Sequence, residues 1–299
     1  MWTTKNITDQ TGKTVIITGA NTGIGYETAL ALYNAGAHII LACRDLGKAN
    51  EAIARLQQHN GKGVLEASHL DLTNLDSVKQ FTDAFVSQHT KLDVLINNAG
   101  VMLTPASKTA NGFELQFGVN FLGHYALTGY LYPLLKATSN SRVVTVSSNA
   151  YLSGAIDFDN LKSEHSYDAF REYAQSKLAN ILFSKQLQRR IEATKDNVAS
   201  IAVQPGANKT NLSRHMSPDA YNTALERVGE LMEPWQGALP SLFAAVDPEA
   251  QSGRFYGPDQ DGGYRGYPGE DPISAAGMDE TVAKKLWQLA EEVTGITYP

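Results

Sequence analysis

Tyr173 and Lys177 stand four residues apart in Tyr173-Ala-Gln-Ser-Lys177. On a helix that spacing puts both side chains on one face. A free phenol has a pKa of about 10 and is a sluggish acid–base group near neutrality. A nearby ammonium favours the phenolate and would lower that pKa. Such a pair can give a proton to a carbonyl oxygen, or take one from an alcohol. Tyr-x-x-x-Lys also occurs on exposed helices with no catalytic role, so its neighbours decide. Val143-Val-Thr-Val-Ser147-Ser148 ends an apolar run in two hydroxyls, Asn97-Asn98-Ala99-Gly100 ends another, and Gln204-Pro205-Gly206 a third.

A second constellation points to a dinucleotide. Thr18-Gly19-Ala-Asn21-Thr22-Gly23-Ile24-Gly25 follows an apolar run directly. Gly19 allows a sharp turn, Gly23 lets backbone approach a pyrophosphate, and Gly25 permits close helix packing. The following helix N-terminus offers free N–H groups to phosphate. The second run ends Ala42-Cys43-Arg44-Asp45. An acid at its end would suit the ribose 2′-hydroxyl of NAD(H), and an arginine the 2′-phosphate of NADP(H). Cys43 stands where the acid is expected and Arg44 follows, which favours NADP(H) over NAD(H). Asp45 argues the other way unless it merely starts the next helix.

The elements that must position these groups alternate. Strands are predicted at Thr14–Thr18, His38–Ala42, within Val64–Leu72, and at Leu92–Ile96, Arg142–Val146, Val198–Val203 and Gly253–Tyr256. Helices are predicted over Gly23–Ala35, Leu46–Gln58, Leu75–Gln88, Phe113–Leu135, Phe170–Ile191 and Thr281–Val293. This rhythm implies parallel β-α-β units with right-handed crossovers. The expected architecture is α/β: one doubly wound Rossmann-type domain over residues 1–299, a parallel sheet of about seven strands with helices on both faces. In such sheets ligands bind beyond the C-terminal strand ends. Residues 208–232 are expected to form a substrate lid, and 258–272 a C-terminal loop.

Composition narrows the function. Of 299 residues, 25 are Lys or Arg and 31 are Asp or Glu, a net charge of −6, without the basic footprint of a nucleic-acid binder. The lone Cys43 excludes an intrachain disulfide. No apolar run approaches the roughly 20 residues of a membrane span, and no metal-ligand cluster is evident. A cytoplasmic protein acting on a small molecule is expected.

Taken together, the motifs resemble the short-chain dehydrogenases/reductases. Thr18-Gly19-x-x-x-Gly23-Ile24-Gly25, Asn97-Asn98-Ala99-Gly100, Asn120, Ser148, Tyr173-x-x-x-Lys177 and Pro205-Gly206 match in order and spacing over nearly the whole chain. Asn120-Phe-Leu-Gly-His124, Ala42-Cys-Arg-Asp45 and Ser176-Lys-Leu-Ala-Asn-Ile-Leu-Phe183 look like the retinol dehydrogenase and WW-domain oxidoreductase branch. The resemblance implies Tyr173 as the acid in reduction and base in oxidation. It implies Lys177 on the nicotinamide ribose, Ser148 on the substrate oxygen, and Asn120 holding a water in a relay to Lys177. A purely structural role for Asn120, or for both serines, is the competing reading. Asp71 and Leu72 would lie by the adenine. Asn98, Ala99 and Gly100 would line the adenosine side, and Pro205, Gly206 and Thr210 the carboxamide end. Asn208 departs from the pattern, since a hydrophobic residue usually follows Pro-Gly there. His124 reads as a packed helix residue. The implied activity is hydride transfer between NADP(H) and a hydrophobic ketone, aldehyde or secondary alcohol. The rival is a non-catalytic NADP(H)-binding sensor. A homodimer or homotetramer would use the Phe113–Leu135 and Phe170–Ile191 helices.

Overall fold

The computed structural model describes residues 1–299. Eight strands form one sheet in the order β3-β2-β1-β4-β5-β6-β7-β8. They are β1 (Thr14–Thr18), β2 (His38–Cys43), β3 (Val64–His69), β4 (Val94–Asn97), β5 (Ser141–Val146), β6 (Val198–Val203), β7 (Phe255–Gln260) and β8 (Arg265–Glu270). The first seven run parallel, and β8 returns antiparallel beside β7. The strand order reverses between β1 and β4, which opens a crevice there.

Every residue of β1 is buried. Its side chains alternate between two cores: Ile16 joins the cluster on one face, Val15 and Ile17 that on the other. Covering both faces explains why these strands read as continuous apolar runs. Helices α1 (Gly23–Asn34), α2 (Leu46–Gln57) and α8 (Pro234–Val246) cover one face. The other is covered by α3 (Leu75–Gln88), α5 (Gly123–Ala137), α6 (Ala169–Thr194) and α9 (Glu280–Thr294).

Two expectations need correction. The expected loop at 258–272 holds half of β7 and all of β8. Gly266, Pro268 and Gly269 sit on β8, the edge strand, where a missing N–H is tolerated. The expected 113–135 helix is interrupted. After α4 (Leu115–Phe117) a π turn (Gly118–Leu122) precedes α5. Within the single chain every residue of α6 from Glu172 to Ser184 is buried. Trp287 of α9 stacks on Phe183 at 5.8 Å, and Tyr298 of the C-terminal tail packs against Tyr125 at 5.0 Å. The C-terminal helix and tail thus pack on part of the α5–α6 surface.

No element was predicted for 233–252, where α8 lies. Pro234 opens it at the first turn, Glu233 and Gln236 form a capping box, and Pro240 lies inside the helix. The 208–232 segment is an excursion containing a 3₁₀ turn (Asn211–His215) and α7 (Pro218–Val228). Its base is closed where Met232 N donates to Ala207 O at 2.8 Å and Lys209 N to Met232 O at 2.9 Å.

Candidate active site

The strand ends converge on one cleft of about 1960 Å³. At its nucleotide end, Gly19 and Gly23 adopt left-handed φ values of +67° and +58°. A Cβ on Gly25 would lie 2.6 Å from both Asn98 Nδ2 and Gly19 O, so only glycine fits between turn and helix. Asn98 holds this turn by donating its Nδ2 to Thr18 O at 2.8 Å. Thr22, the N-cap of α1, makes no side-chain capping bond. The orphan N–H groups of the helix therefore face the cleft without a protein acceptor, as a phosphate site requires.

Thr18, which heads the glycine motif but has no role of its own in the sequence, ties this end together. Its hydroxyl accepts from Asn98 N at 2.9 Å and Ala99 N at 2.8 Å. His124 Nε2 lies 2.9 Å from the same oxygen, and His124 Nδ1 lies 3.0 Å from Asn120 O. The carbonyl can only accept, so Nδ1 carries the proton and Thr18 donates to Nε2. Burial pushes the His124 pKa down to about 4, which keeps this bridge neutral. Its signal in sequence was a hydroxyl closing a strand of apolar residues.

Arg44 is exposed at the cleft, and no acidic side chain pairs with it. Asp45 caps α2 by accepting from Lys48 N at 3.1 Å. It starts the helix, and its carboxylate is thereby engaged. Asp71 and Leu72 do not line the cleft. The Asp71 carboxylate accepts from Thr73 N and Thr73 Oγ1 at 2.9 and 2.8 Å, and Leu72 is buried in the core.

Gly19, Asn21, Thr22, Gly23, Ile24, Gly25, Asn98, Ala99, Gly100, Ser148, Tyr173, Lys177, Pro205, Gly206 and Thr210 do line it together. The adjacent serines face different partners. Ser147 Oγ donates to Lys177 O at 2.7 Å, whereas the Ser148 hydroxyl accepts from Ala150 N at 3.2 Å and faces the Tyr173 phenol, whose pKa it lowers. Lys177 Nζ donates to Val146 O at 3.2 Å and lies 5.7 Å from the Tyr173 ring centre. Burial raises the Tyr173 pKa to about 12, opposed by the Ser148 hydroxyl, and lowers that of Lys177 to about 8. The lowering of Tyr173 by Lys177 expected from their spacing is not among the causes of this shift, which burial dominates. The phenol is held as a proton donor.

Asn120 lies in the π turn and is fully buried. Its Oδ1 accepts from Val101 N at 2.9 Å; its Nδ2 donates to Val101 O at 3.0 Å and to Ser176 Oγ at 2.9 Å. The side chain therefore fastens the Gly100 loop to α6. Gly100 leaves the space between Asn120 and Lys177 open: a Cβ there would stand 3.3 Å from Asn120 Oδ1 and 3.6 Å from Lys177 Nζ. Asn208 donates to Pro205 O at 2.7 Å and fits against Gly237, where no Cβ could stand. Its amide thus braces the loop by hydrogen bonding, where a hydrophobic residue is usual in the family.

Beyond Tyr173 the walls turn apolar. Met102, Leu103, Leu152, Phe170, Met216 and Leu231 line this part. Leu152 and Phe170 are 61% and 46% exposed at its rim. No cluster of potential metal ligands is present, and no helix is long and apolar enough to cross a membrane.

Comparison with known proteins agrees with this geometry. Residues 13–220 match the short chain dehydrogenase family. The chain belongs to that family and is a nicotinamide-dependent oxidoreductase acting on CH–OH and C=O groups. It is 42% identical to mouse (Mus musculus) retinol dehydrogenase 14, over 95% of this chain and 86% of that one. It is 39% identical to human (Homo sapiens) retinol dehydrogenase 13, over 96% and 86%. An uncharacterised protein from Mycobacterium paratuberculosis has the same fold, with a TM-score of 0.84 and 37% identity over 100% of this chain and 99% of that one.

Proposed function

We propose that the protein uses NADP(H) to interconvert hydrophobic ketones or aldehydes and their alcohols. The single observation that carries this is the convergence, in one cleft, of the Ser148–Tyr173–Lys177 group with the glycine turn and an apolar wall. Bound nicotinamide would supply or accept the hydride. The glycine turn and the free N-terminus of α1 would hold the pyrophosphate. Arg44, exposed and unpaired, would meet the 2′-phosphate; Asp45 is engaged as a helix cap. Pro205, Gly206 and Thr210 would hold the carboxamide end.

In reduction Ser148 orients the substrate oxygen and Tyr173, held protonated by burial, gives it a proton. Lys177 is fixed by Val146 O and places its ammonium near the phenol. As charge develops on the phenolic oxygen, that ammonium stabilises it. In oxidation the same groups run in reverse. Asn120 holds the surrounding loop; any relay water would meet its backbone, since both ends of its amide are engaged. The presence of all these groups argues against a non-catalytic sensor.

The test is a panel of hydrophobic ketones and aldehydes of graded length, assayed with NADPH and with NADH. The proposal predicts turnover with NADPH that improves with apolar length. A preference for NADH, or for short polar carbonyls, would overturn it.

A further inference from the structure

The turn between β7 and β8 touches three of the segments that build the substrate side of the cleft. Gly262 O accepts from Asn149 Nδ2 at 3.3 Å, beside Ser148. Gly263 O accepts from Gln204 Nε2 at 2.9 Å, and Tyr264 O from Ala207 N at 3.0 Å, on the Pro205–Gly206 loop. Tyr264 itself lines the cleft. The next residue, Arg265, reaches the lid. Its Nη1 donates to Val228 O at 2.7 Å and to Glu230 O at 2.6 Å, and its Nε donates to Asp261 Oδ2 at 2.8 Å.

The lid helix needs such a tether. No residue of α7 is buried, although Ala220, Ala224, Leu225 and Val228 line the cleft. Packing alone therefore holds it weakly. Its C-terminus breaks at Gly229, with φ +72° and ψ −142°. A Cβ at Gly229 would stand 3.2 Å from both terminal nitrogens of Arg265, so the guanidinium fills the concave side of this bend. A cation at a helix C-terminus also meets the negative end of the helix dipole and its unpaired carbonyls.

We infer that Arg265 is a positioning residue that latches the lid helix to the β7–β8 turn and so sets the apolar wall of the substrate cleft. It touches neither the reacting atoms nor the nucleotide turn. Its effect passes through the pose of α7, and the shared turn carries that pose to the loops of Ser148 and Gly206. The consequence for substrate rests on the function proposed above; the latch does not.

Amide hydrogen exchange on the purified full chain separates the two. Arg265→Met keeps the apolar stem and removes all three bonds. Asp261→Asn leaves Arg265 in place but takes away its orienting charge, and Arg265→Lys restores one donor. In Arg265→Met, exchange across 218–231 is expected to quicken about tenfold or more, as for loss of charge-assisted hydrogen bonds, with β4 and β5 unchanged. Asp261→Asn and Arg265→Lys should fall between this variant and the wild type. The KM for a hydrophobic ketone should rise with exchange while kcat stays within about twofold, the pattern of lost uniform binding. Unaltered exchange in both Arg265→Met and Asp261→Asn would overturn the latch. Faster exchange with an unmoved KM would uphold the latch and count against the lid as a substrate wall.

Discussion

The Ser147 hydroxyl donates to the Lys177 carbonyl across 2.7 Å, tying the end of β5 to the helix that carries the catalytic pair. Its neighbour Ser148 instead meets the Tyr173 phenol. One serine therefore fixes the scaffold, and in the proposed mechanism the other joins the chemistry. Ser148→Ala should lower kcat by about a hundredfold, the usual loss of a donor aimed at a developing charge, and leave NADPH affinity in place. Ser147→Ala should cost about 1 kcal/mol of stability, one buried hydrogen bond, and lower kcat less than tenfold. Denaturant melts beside steady-state rates would show the split; equal kinetic damage from both variants would refute it.

Arg44 carries the cofactor preference in this account. Arg44→Asp should shift the NADPH-to-NADH ratio of kcat/KM toward NADH by about a hundredfold, since it removes a charge-assisted phosphate contact and adds a repulsion. Parallel kinetics with both nucleotides measure this directly. An unchanged ratio would place the 2′-phosphate elsewhere.

Gly25 has no room for a methyl group. Gly25→Ala would drive a Cβ to within 2.6 Å of Asn98 Nδ2 and Gly19 O. The expected result is a loss of about 1–3 kcal/mol, typical of overpacking, together with weakened nucleotide binding as the turn is displaced. Thermal melts and fluorescence titration with NADPH test both parts. Wild-type behaviour in both would mean that the turn can shift freely.

Lys177 should leave a mark on pH-dependent stability. Its folded pKa of about 8 lies below its ordinary value of 10.5 because burial penalises the ammonium. Between those values the unfolded chain binds more protons, so this residue makes stability rise with pH from about 8 to 10.5. Lys177→Met should remove that rise from the cofactor-free protein while also abolishing turnover. Urea midpoints at closely spaced pH values would show it. The same slope in both proteins would mean that Lys177 is not the group responsible.

The sequence was most legible where chemistry and backbone need coincide. Gly19, Gly23 and Gly25 meet the needs of the turn and of the proposed phosphate site at once, so their spacing pointed to one end of the cleft that they line. The β1, β2, β4, β5 and β6 strands were readable because burial on both faces favours apolar runs. The β7–β8 hairpin was not. Glycine and proline mark loops by local preference, yet here tertiary pairing along the sheet edge outweighs it. Helix α8 was hidden for a similar reason: Pro234 and Pro240 look like breakers, but one opens the helix and burial between α1 and the sheet sustains the rest. The Thr18–His124–Asn120 chain joins two segments about a hundred residues apart, which spacing alone could not reveal. Nor could the Tyr173–Lys177 spacing show how strongly burial would raise the phenol pKa. The packing of α9 and the tail on α5 and α6 depended on where the chain's last residues would settle.

The central claim is that Tyr173 transfers the proton while the nucleotide binds independently of it. Tyr173→Phe, assayed with NADPH and a hydrophobic ketone and titrated with NADPH alone, tests it most directly. The account predicts turnover reduced by about a thousandfold or more, as for loss of a general acid, with NADPH affinity within a few-fold of wild type. Retained turnover in the folded variant would contradict it.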